Sequence, residues 1–229
     1  MQQKAIPYIF ISPFYILFFI FMIGPAFFAL YASFTGWRGL ASPEFVGFQN
    51  YAYLLKDKTF HLSLLNTFKY AAAGVFIVIP LALLLASLLN VGWLKGKSFF
   101  RAVYFLPVIT PAVVVGIVFS IVYDHNYGLF NWALSQVGLP IINWISADFF
   151  KFAVAGMIIW RWSGYHMIYF LAGLQGIPKD LYEAAEVDGA NIFQKFRYIT
   201  IPSLRPIIIF ILVIMTISSL QIFDEPFML

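Results

Sequence analysis

Five long apolar stretches, separated by shorter polar segments, dominate the hydrophobic pattern of this chain. A helix needs about 20 apolar residues to cross about 30 Å of hydrocarbon, and each stretch meets or approaches that length. The predicted spans are Ala5–Phe34, Leu62–Leu89, Ala102–Tyr123, Phe149–Leu174 and Ser203–Phe223. The pattern therefore predicts an all-α, polytopic transmembrane helical bundle, which we interpret as a single domain covering residues 1–229.

Prolines and one arginine interrupt these apolar stretches. We expect Pro13 and Pro25 to bend the first span, which is tolerable where neighbouring helices satisfy the freed carbonyl groups. Pro107 and Pro111 lie in the third span, and Arg161 lies in the fourth. A charge near midspan costs at least about 2.5–3.5 kcal/mol on insertion scales, so Arg161 should face a cavity or a partner group.

The composition favours lipid as the solvent. Hydrophobic residues make up 62% of the 229 residues and charged residues only 10%, whereas soluble domains carry about 25% charge. A water-soluble fold could not hide so much apolar surface. The 14 basic and 10 acidic residues are scattered, which argues against a nucleic-acid partner, and the absence of cysteine excludes disulfides and thiolate metal sites.

Loop charges indicate the orientation of the chain, because basic residues favour the cytoplasmic side. With a cytoplasmic N-terminus, the inner side holds Lys4, Lys95, Lys97, Arg101, Lys179, Lys195, Arg197 and Arg205. The outer side then holds only Arg38, Lys56, Lys58 and Lys151. A single lysine precedes the first apolar run and no small-residue cleavage site follows it, so we expect a retained span and a cytoplasmic N-terminus.

The predicted cytoplasmic segment 175–202, QGIPKDLYEAAEVDGANIFQKFRYITIP, differs from the rest of the chain. Pro178 suits the first turn of a helix, where its missing N–H is harmless. Asp180 and Glu183 lie in the early turns, where acidic groups favour the helix dipole. Gly189 can adopt the left-handed conformation that ends a helix.

A second short helix is predicted after this glycine. Asn191 is a suitable N-cap, with Gln194 at capping-box spacing, for a helix over about Ile192–Tyr198 that ends before Pro202. Two short helices meeting at a glycine corner suggest a knob that docks on a partner protein. Any loop between spans can also contain a helical hairpin, and spacing alone does not separate the two interpretations.

This segment resembles the EAA loop of binding-protein-dependent ABC importer permeases. The resemblance is carried by Glu183-Ala184-Ala185, three residues, Gly189, nine residues, Ile199, one residue and Ile201-Pro202. The family usually has Leu before this proline, a conservative difference. Flanking motifs resemble the carbohydrate-uptake subclass: Trp162-Ser163-Gly164-Tyr165, Phe170-Leu171-Ala172-Gly173-Leu174-Gln175, Val187-Asp188-Gly189-Ala190 and Phe45-Val46-Gly47-Phe48-Gln49-Asn50-Tyr51.

The resemblance implies a role and a set of partners. Such a permease imports a sugar through the bacterial or archaeal cytoplasmic membrane with a second homologous permease, ATPase subunits that bind ATP and Mg, and an extracytoplasmic solute-binding protein. Segment 175–202 would be the coupling loop, with Glu183 contacting the ATPase and Gly189 setting the corner. The other coupling positions carried over are Ala184, Ala185, Asp188, Ile199 and Pro202.

The resemblance also implies a type I importer fold with six spans. Five are predicted here, and the sequence reaches Leu229 where the loop before a sixth span should begin. The expectation is therefore a bundle with five of the usual six spans.

Candidate residues for the solute path come from the spans themselves. Tyr165 and Tyr169 follow Arg161 at i+4 and i+8 and share its helical face. They form a polar, aromatic stripe that could line a sugar path, although Arg161 could equally be a structural tie to an acidic residue or to backbone carbonyls. Asn66 and Gln221 are weaker candidates, and His166 on another face suits packing.

Other functions fit the sequence less well. The segment Gly92–Ser98 has three residues between its glycines where a phosphate-binding loop needs four, so we assign no ATPase site to this chain. An intramembrane enzyme would need paired acid–base groups or metal ligands inside the spans, and Asp124 and His125 lack further ligands nearby. A channel, a secondary transporter and an ABC permease for a non-sugar solute remain as alternatives.

Overall fold

The computed structural model describes residues 2–37, 39, 42–92 and 94–229, with side chains from residue 6 onward. Helices connected by turns and loops make up these residues, and the only β pairing among them is an isolated bridge between Thr35 and Phe45. Arg38, assigned above to the outer side, lies outside the described residues, and so does Trp93. The all-α prediction is confirmed.

The chain divides into two compact units, residues 1–63 and 64–229. In the first, α1 (Gln2–Phe18), a π-helical turn π1 (Phe19–Ile23) and α2 (Gly24–Ser33) form one continuous helix. Its apolar part, Ile6–Ser33, is long enough to cross a membrane, and its side chains are exposed within this unit. The predicted first span is therefore present as an unbroken helix.

The first unit also contains a short helix that packs on the end of α2. In α3 (Gln49–Leu54), the Asn50 side-chain amide donates hydrogen bonds to the carbonyl oxygens of Ser33 (2.8 Å) and Thr35 (2.9 Å). The hydroxyls of Ser33 and Tyr51 are 2.6 Å apart. These contacts fold α3 back onto the end of α2, because the carbonyls at a helix C-terminus lack partners within the helix.

The chain passes from the first unit to the second within α4 (Lys58–Ala73). This helix continues through π2 (Gly74–Val78) into α5 (Ile79–Asn90), which makes a span-length helix of 33 residues. It covers the predicted second span. The next two helices, α6 (Lys97–Ile109) and α7 (Ala112–Val122), bend by 102° at Thr110–Pro111. Thr110 is extended, as a residue before proline prefers. The predicted third span is therefore broken.

The second unit continues after α7. It contains α8 (Leu129–Gln136) and then the long α9 (Phe150–Gln175). Three shorter segments come next: α10 (Lys179–Val187), α11 (Ile192–Lys195) and π3 (Phe196–Thr200). The chain continues through α12 (Ile201–Ser203), α13 (Arg205–Leu220) and α14 (Asp224–Met228).

Helix α9 is the centre of the second unit and packs against α5 and α6. Small residues allow this close packing, since lipid removes most of the hydrophobic drive between spans and leaves dispersion forces to act. Ala82 and Ala86 of α5 are fully buried against it. At Gly164 a Cβ atom would collide with the Tyr104 carbonyl oxygen of α6, so only glycine fits.

Among the described residues, two helices are apolar and long enough to cross a membrane, or up to four if each bent pair counts as one span. The bent pairs are α6 with α7 and the helix Ile192–Ser203 with α13. Helix α9 has 26 residues, about 39 Å at 1.5 Å per residue, but its charged and aromatic residues make it less apolar. The count of five spans stays a prediction.

Each π-helical turn stands directly before a proline. Pro25, Pro80 and Pro202 are each the second residue of the α-helix that follows π1, π2 and π3. Proline has no N–H and its ring clashes with the carbonyl four residues earlier. A wider turn, with hydrogen bonds to the fifth residue back, removes that clash without breaking the helix.

Candidate functional site

Helix α10 ends at a left-handed glycine, as predicted. Gly189 has φ +79°, and its N–H donates to the Glu186 carbonyl at 3.0 Å. The Ala190 N–H donates to the Ala185 carbonyl at 2.8 Å. This pair of bonds is a Schellman motif, which satisfies carbonyls that the last helical turn leaves open. The chain therefore turns sharply at Gly189 while its backbone groups stay paired.

The second helix begins with the predicted capping box. The Gln194 N–H donates to the Asn191 side chain at 2.9 Å, and the Asn191 N–H donates to the Gln194 side chain at 2.7 Å. The predicted end of this helix before Pro202 is wrong. The helix runs to Ser203, because π3 widens the turn before Pro202 and so accommodates the ring.

Two polar side-chain contacts join the arms of this hairpin, residues 179–203, which we call the elbow. The hydroxyls of Tyr182 and Thr200 are 2.9 Å apart, and Thr200 is buried. The Lys195 ammonium lies 2.6 Å from a Glu186 carboxylate oxygen. The two contacts link α10 to α11 and π3. The elbow is therefore stabilised by side-chain contacts between its arms as well as by the Schellman motif at Gly189.

The coupling residues predicted from the sequence lie at different depths on the elbow. Glu183, Ala184, Asp188 and Gly189 are exposed near the corner, and Ala185 is half-buried. Pro202 is exposed on the returning arm. Ile199 is half-buried and packs against the main hydrophobic cluster of the second unit. The corner is thus free to meet a partner, while Ile199 anchors the returning arm.

The elbow also carries an apolar tip that sequence reasoning missed. Val187 is 89% exposed, Ile192 83% and Phe193 73%, and these residues flank the glycine corner. Large exposed apolar side chains clustered in a charged segment mark an interaction surface. This tip could have been recognised from the sequence, because three large apolar residues lie within four positions of Gly189, among acidic and basic residues.

Arg161 forms an ion pair inside the second unit. One guanidinium nitrogen lies 3.2 Å from a Glu225 carboxylate oxygen, and the Trp162 indole N–H donates to the same oxygen at 3.2 Å. Both charged side chains are mostly buried, at 12% and 7% exposure. The sequence analysis did not pair Glu225 with Arg161, because Glu225 lies 64 residues further along the chain, after the fifth predicted span.

A cavity of about 240 Å³ adjoins this ion pair. Its walls come from α9, α13 and the segment that follows α13. Of the predicted path residues, Arg161 and Gln221 line it. Ser218 and Ser219 of α13 add hydroxyl groups, so the cavity has a polar side next to the Trp162 ring. Asp224 and Glu225 add two carboxylates to the lining, so the cavity offers both hydrogen-bond donors and acceptors.

The other predicted path residues lie elsewhere. The Tyr165 and Tyr169 hydroxyls are 2.8 Å apart, and the Tyr169 ring packs against Phe210 of α13. Neither tyrosine lines the cavity, although both share the α9 face that follows Arg161. Asn66 is half-buried on α4 and does not line the cavity either. His166 is buried in the interior of the unit, at 2% exposure.

Segment 124–148, which the sequence analysis predicts to be on the outer side, is organised around Asn131. Its side-chain amide donates to the carbonyls of His125 (3.0 Å) and Ile142 (2.8 Å), and its oxygen accepts from the Trp144 indole (3.1 Å). The Asp124 carboxylate accepts the backbone N–H groups of Tyr127 and Asn126, which lowers the pKa of that carboxyl group. Asp124 therefore stabilises a turn.

Comparison with known proteins gives one family across most of the chain. Residues 78–226 match the family described as "Binding-protein-dependent transport system inner membrane component". The arabinooligosaccharides transport system permease protein AraP of Bacillus subtilis is 37% identical over all of this chain and 73% of its own length. The lactose transport system permease protein LacF of Rhizobium radiobacter is 36% identical over 95% of the chain and 74% of its own length.

An archaeal relative and two solved structures agree with this match. The trehalose/maltose transport system permease protein MalF of Thermococcus litoralis is 37% identical over 79% of this chain and 61% of its own length. A bacterial ABC transporter that imports the acidic polysaccharide alginate superposes with TM-score 0.82 at 26% identity, over 96% of this chain and 75% of that one. A complex of a bacterial alginate ABC transporter with its pentasaccharide-bound periplasmic protein gives TM-score 0.80 at 26% identity.

Proposed function

This chain belongs to the family of binding-protein-dependent transport system inner membrane components, and from that premise we propose that it is the permease subunit of an ATP-driven importer for a sugar or sugar-like solute. The relatives named for arabinooligosaccharides, trehalose/maltose and lactose support the solute class. The observation that carries the proposal is the exposed, braced elbow at the Glu183-Ala184-Ala185 segment, which has the shape of a docking element.

The elbow passes the ATPase stroke to the spans. The exposed corner, with Glu183, Ala184, Asp188 and Gly189, contacts an ATPase subunit, and the apolar tip fills a cleft on it. ATP and Mg are bound by those subunits. The permease needs only two packings that the ATPase biases differently. Ala185, Ile199 and Pro202 connect the corner to α13, so movement of the corner reaches the spans.

The cavity beside Arg161 is part of the solute path. Arg161, Gln221 and the α13 serines offer hydrogen bonds to sugar hydroxyls, and the Trp162 ring offers an apolar face. Tyr165, Tyr169 and Asn66 contact the solute at other stages of its passage, when the helices have moved. The charges of Arg161 and Glu225 offset each other, and the Asp224 carboxylate, which also lines the cavity, adds an acceptor for sugar hydroxyls.

The remaining partners follow from the assembly of such importers. A second homologous permease completes the pore, and an extracytoplasmic solute-binding protein delivers the sugar to the outer face. The complex of the alginate transporter with its periplasmic protein supports this arrangement. The N-terminus is cytoplasmic, and the chain lies in the cytoplasmic membrane of a bacterium or archaeon with the elbow on the inner side.

Single introduced cysteines test the orientation, because the natural chain has none. Val187→Cys lies on the elbow tip and Tyr127→Cys in the outer segment, at 89% and 91% exposure. A membrane-impermeant maleimide applied to intact cells should label position 127, and label position 187 only after permeabilisation. Labelling of position 187 from outside would place the elbow on the wrong side for an ATPase.

Cross-linking tests the coupling partner directly. A photoreactive residue at position 187 or 193 should capture a protein that carries nucleotide-binding motifs, identified by mass spectrometry, and the same residue at position 127 should not. An elbow that contacts no ATPase, in membranes that take up sugar through this chain, contradicts the proposal.

A further inference from the structure

A cluster of basic residues lies where α5 ends and α6 begins. Lys95, Lys97 and Arg101 fall within seven residues, and the sequence has no acidic residue between Asp57 and Asp124. The ion pairs of the described residues, Arg161–Glu225 and Lys195–Glu186, do not involve this cluster. Its positive charge is therefore left without a counter-charge from the part of the chain that the structure describes.

The arginine of this cluster has an unused donor. The Arg101 Nε is buried and has no hydrogen-bond partner among the described atoms. A buried donor without a partner costs free energy, so the Arg101 side chain gains free energy when it turns outward to an acceptor. Lys97, Arg101 and Tyr104 follow one another at i, i+4 and i+7, so they share one face of α6.

An apolar groove of about 230 Å³ adjoins the same corner. The last turns of α5 provide Leu85 and Leu88, and the first turns of α6 provide Phe100 and Tyr104. Leu88 is 54% exposed and Leu89 is 4% exposed, so the groove is open to the outside at Leu88 and has its floor on the core at Leu89. The basic cluster and the groove together match an amphipathic ligand with an anionic head and an apolar chain.

The corner lies at the same end of the second unit as the elbow. A cleft there is lined by Ser87 and Asn90 of α5, Leu174 of α9, and Tyr182 and Lys195 of the elbow. The 33-residue helix Lys58–Asn90 is long enough to cross a membrane, so its last residue lies near a membrane surface. Basic pockets between membrane helices at such a surface bind acidic phospholipid head groups.

We propose that the α5–α6 corner binds an acidic phospholipid, with its phosphate on Lys97 and Arg101 and one acyl chain in the groove lined by Leu88 and Tyr104. Lys95 lies in the connecting turn and adds to the attraction for the head group. The phosphate accepts hydrogen bonds from the Arg101 guanidinium, whose side chain turns outward so that its Nε gains a partner. The lipid fills the notch between the two helices from the membrane side.

Native mass spectrometry of the full 229-residue chain in a neutral detergent tests this proposal. The wild type should retain phosphatidylglycerol in preference to phosphatidylcholine. The double variant K97Q/R101Q should bind phosphatidylglycerol about 30-fold more weakly, since each basic residue near the membrane surface contributes a several-fold gain. The conservative variant K97R/R101K should retain the lipid, which separates loss of charge from loss of fold.

A matched control changes the same charge elsewhere. K56Q/K58Q removes two lysines of the first unit, Lys58 at the first residue of the Lys58–Asn90 helix and Lys56 just before it. It should retain phosphatidylglycerol like the wild type. The proposal is overturned by equal retention of both lipids, by unchanged binding in K97Q/R101Q, or by an equal loss in K56Q/K58Q. Competition by soluble glycerol phosphate as strong as by the whole lipid would also overturn it, because the groove would then have no role.

Discussion

The hydroxyl groups of Tyr182 and Thr200 form a 2.9 Å hydrogen bond between the two arms of the elbow. Tyr182 belongs to α10, which carries the Glu183-Ala184-Ala185 segment, and Thr200 is the last residue of π3. Thr200 is buried, so water does not readily replace a lost partner there. This bond is one of the two polar side-chain contacts that join α10 to the arm that leads into α13.

Tyr182→Phe removes this bond and keeps the ring. We expect a loss of about 0.5–1.5 kcal/mol in stability, the usual net value of one hydrogen bond. The larger effect should be on coupling, with less sugar transported per ATP hydrolysed, because the arms no longer move as one body. Proteoliposome uptake and ATP hydrolysis, measured together, give this ratio. Tyr198→Phe, on an exposed side chain of the same arm, is the matched control.

Gly189 should tolerate no side chain without cost. Its φ of +79° is strained for any residue with a Cβ, by about 1–2 kcal/mol, although no atom lies within 4 Å of the added Cβ. Gly189→Ala should therefore lower uptake partly, and Gly189→Trp should abolish it by blocking the docking corner, with membrane insertion unchanged. Gly92→Ala, also in open space but without a positive φ, is the control. Normal uptake by the tryptophan variant argues against docking at this corner.

Glu183→Lys should abolish uptake through the loss of ATPase contact. The side chain is exposed, so the fold should keep its stability to within about 0.5 kcal/mol. Co-purification with the ATPase subunit should fall while expression in the membrane stays level. Glu44→Lys makes the same charge change on an exposed residue of the first unit, and it should transport normally. A lysine variant that still binds the ATPase would remove Glu183 from the interface.

The Arg161–Glu225 pair can be separated into its structural and transport roles. Glu225→Gln leaves a mostly buried arginine without its counter-charge, and removing one partner of a buried pair costs up to about 3–5 kcal/mol. Thermal unfolding in detergent should detect this loss. The exchanged pair R161E/E225R should regain stability. Uptake that returns with it identifies a structural tie, and uptake that stays low identifies Arg161 as a solute contact.

Of all substitutions that add one methyl group to a glycine of the second unit, Gly164→Ala should destabilise the fold most. The added Cβ would collide with the backbone carbonyl of Tyr104, and backbone cannot move aside as a flexible side chain does. Overpacking of this kind costs about 1–3 kcal/mol or more. A lower unfolding temperature and weaker helix association should result. Ala155→Gly, at a half-buried position of the same helix, should cost only the lower helix propensity of glycine, about 1 kcal/mol.

The parts of the site that sequence reasoning predicted are those fixed by local chemistry. The left-handed Gly189 and the Asn191–Gln194 capping box depend on residues within a few positions of each other, so the sequence alone is sufficient. The Pro202 prediction failed because a proline ends a helix only when the turn before it cannot widen. The presence of π3 depends on how the returning arm packs through Ile199 and Thr200.

Pairings between residues far apart in the sequence could not be predicted, because no local pattern determines them. Nothing near Arg161 in the sequence identifies Glu225, because the pair forms only when α14 folds back against α9. The break at Thr110–Pro111 could be predicted only in part. The two prolines of that span were visible, but a proline inside a helix produces either a wide turn or a sharp bend, and neighbouring helices decide between them.

Under the proposed coupling, the 66° angle between the helix Ile192–Ser203 and α13 sets the direction in which α13 responds. A force along the returning arm would have its larger component across the axis of α13 and its smaller component along it. The elbow end of α13 is therefore expected to move sideways and not to travel through the bilayer like a piston. A sideways sweep opens or narrows a gap between neighbours without dragging apolar side chains into water, so little solvation energy opposes the motion.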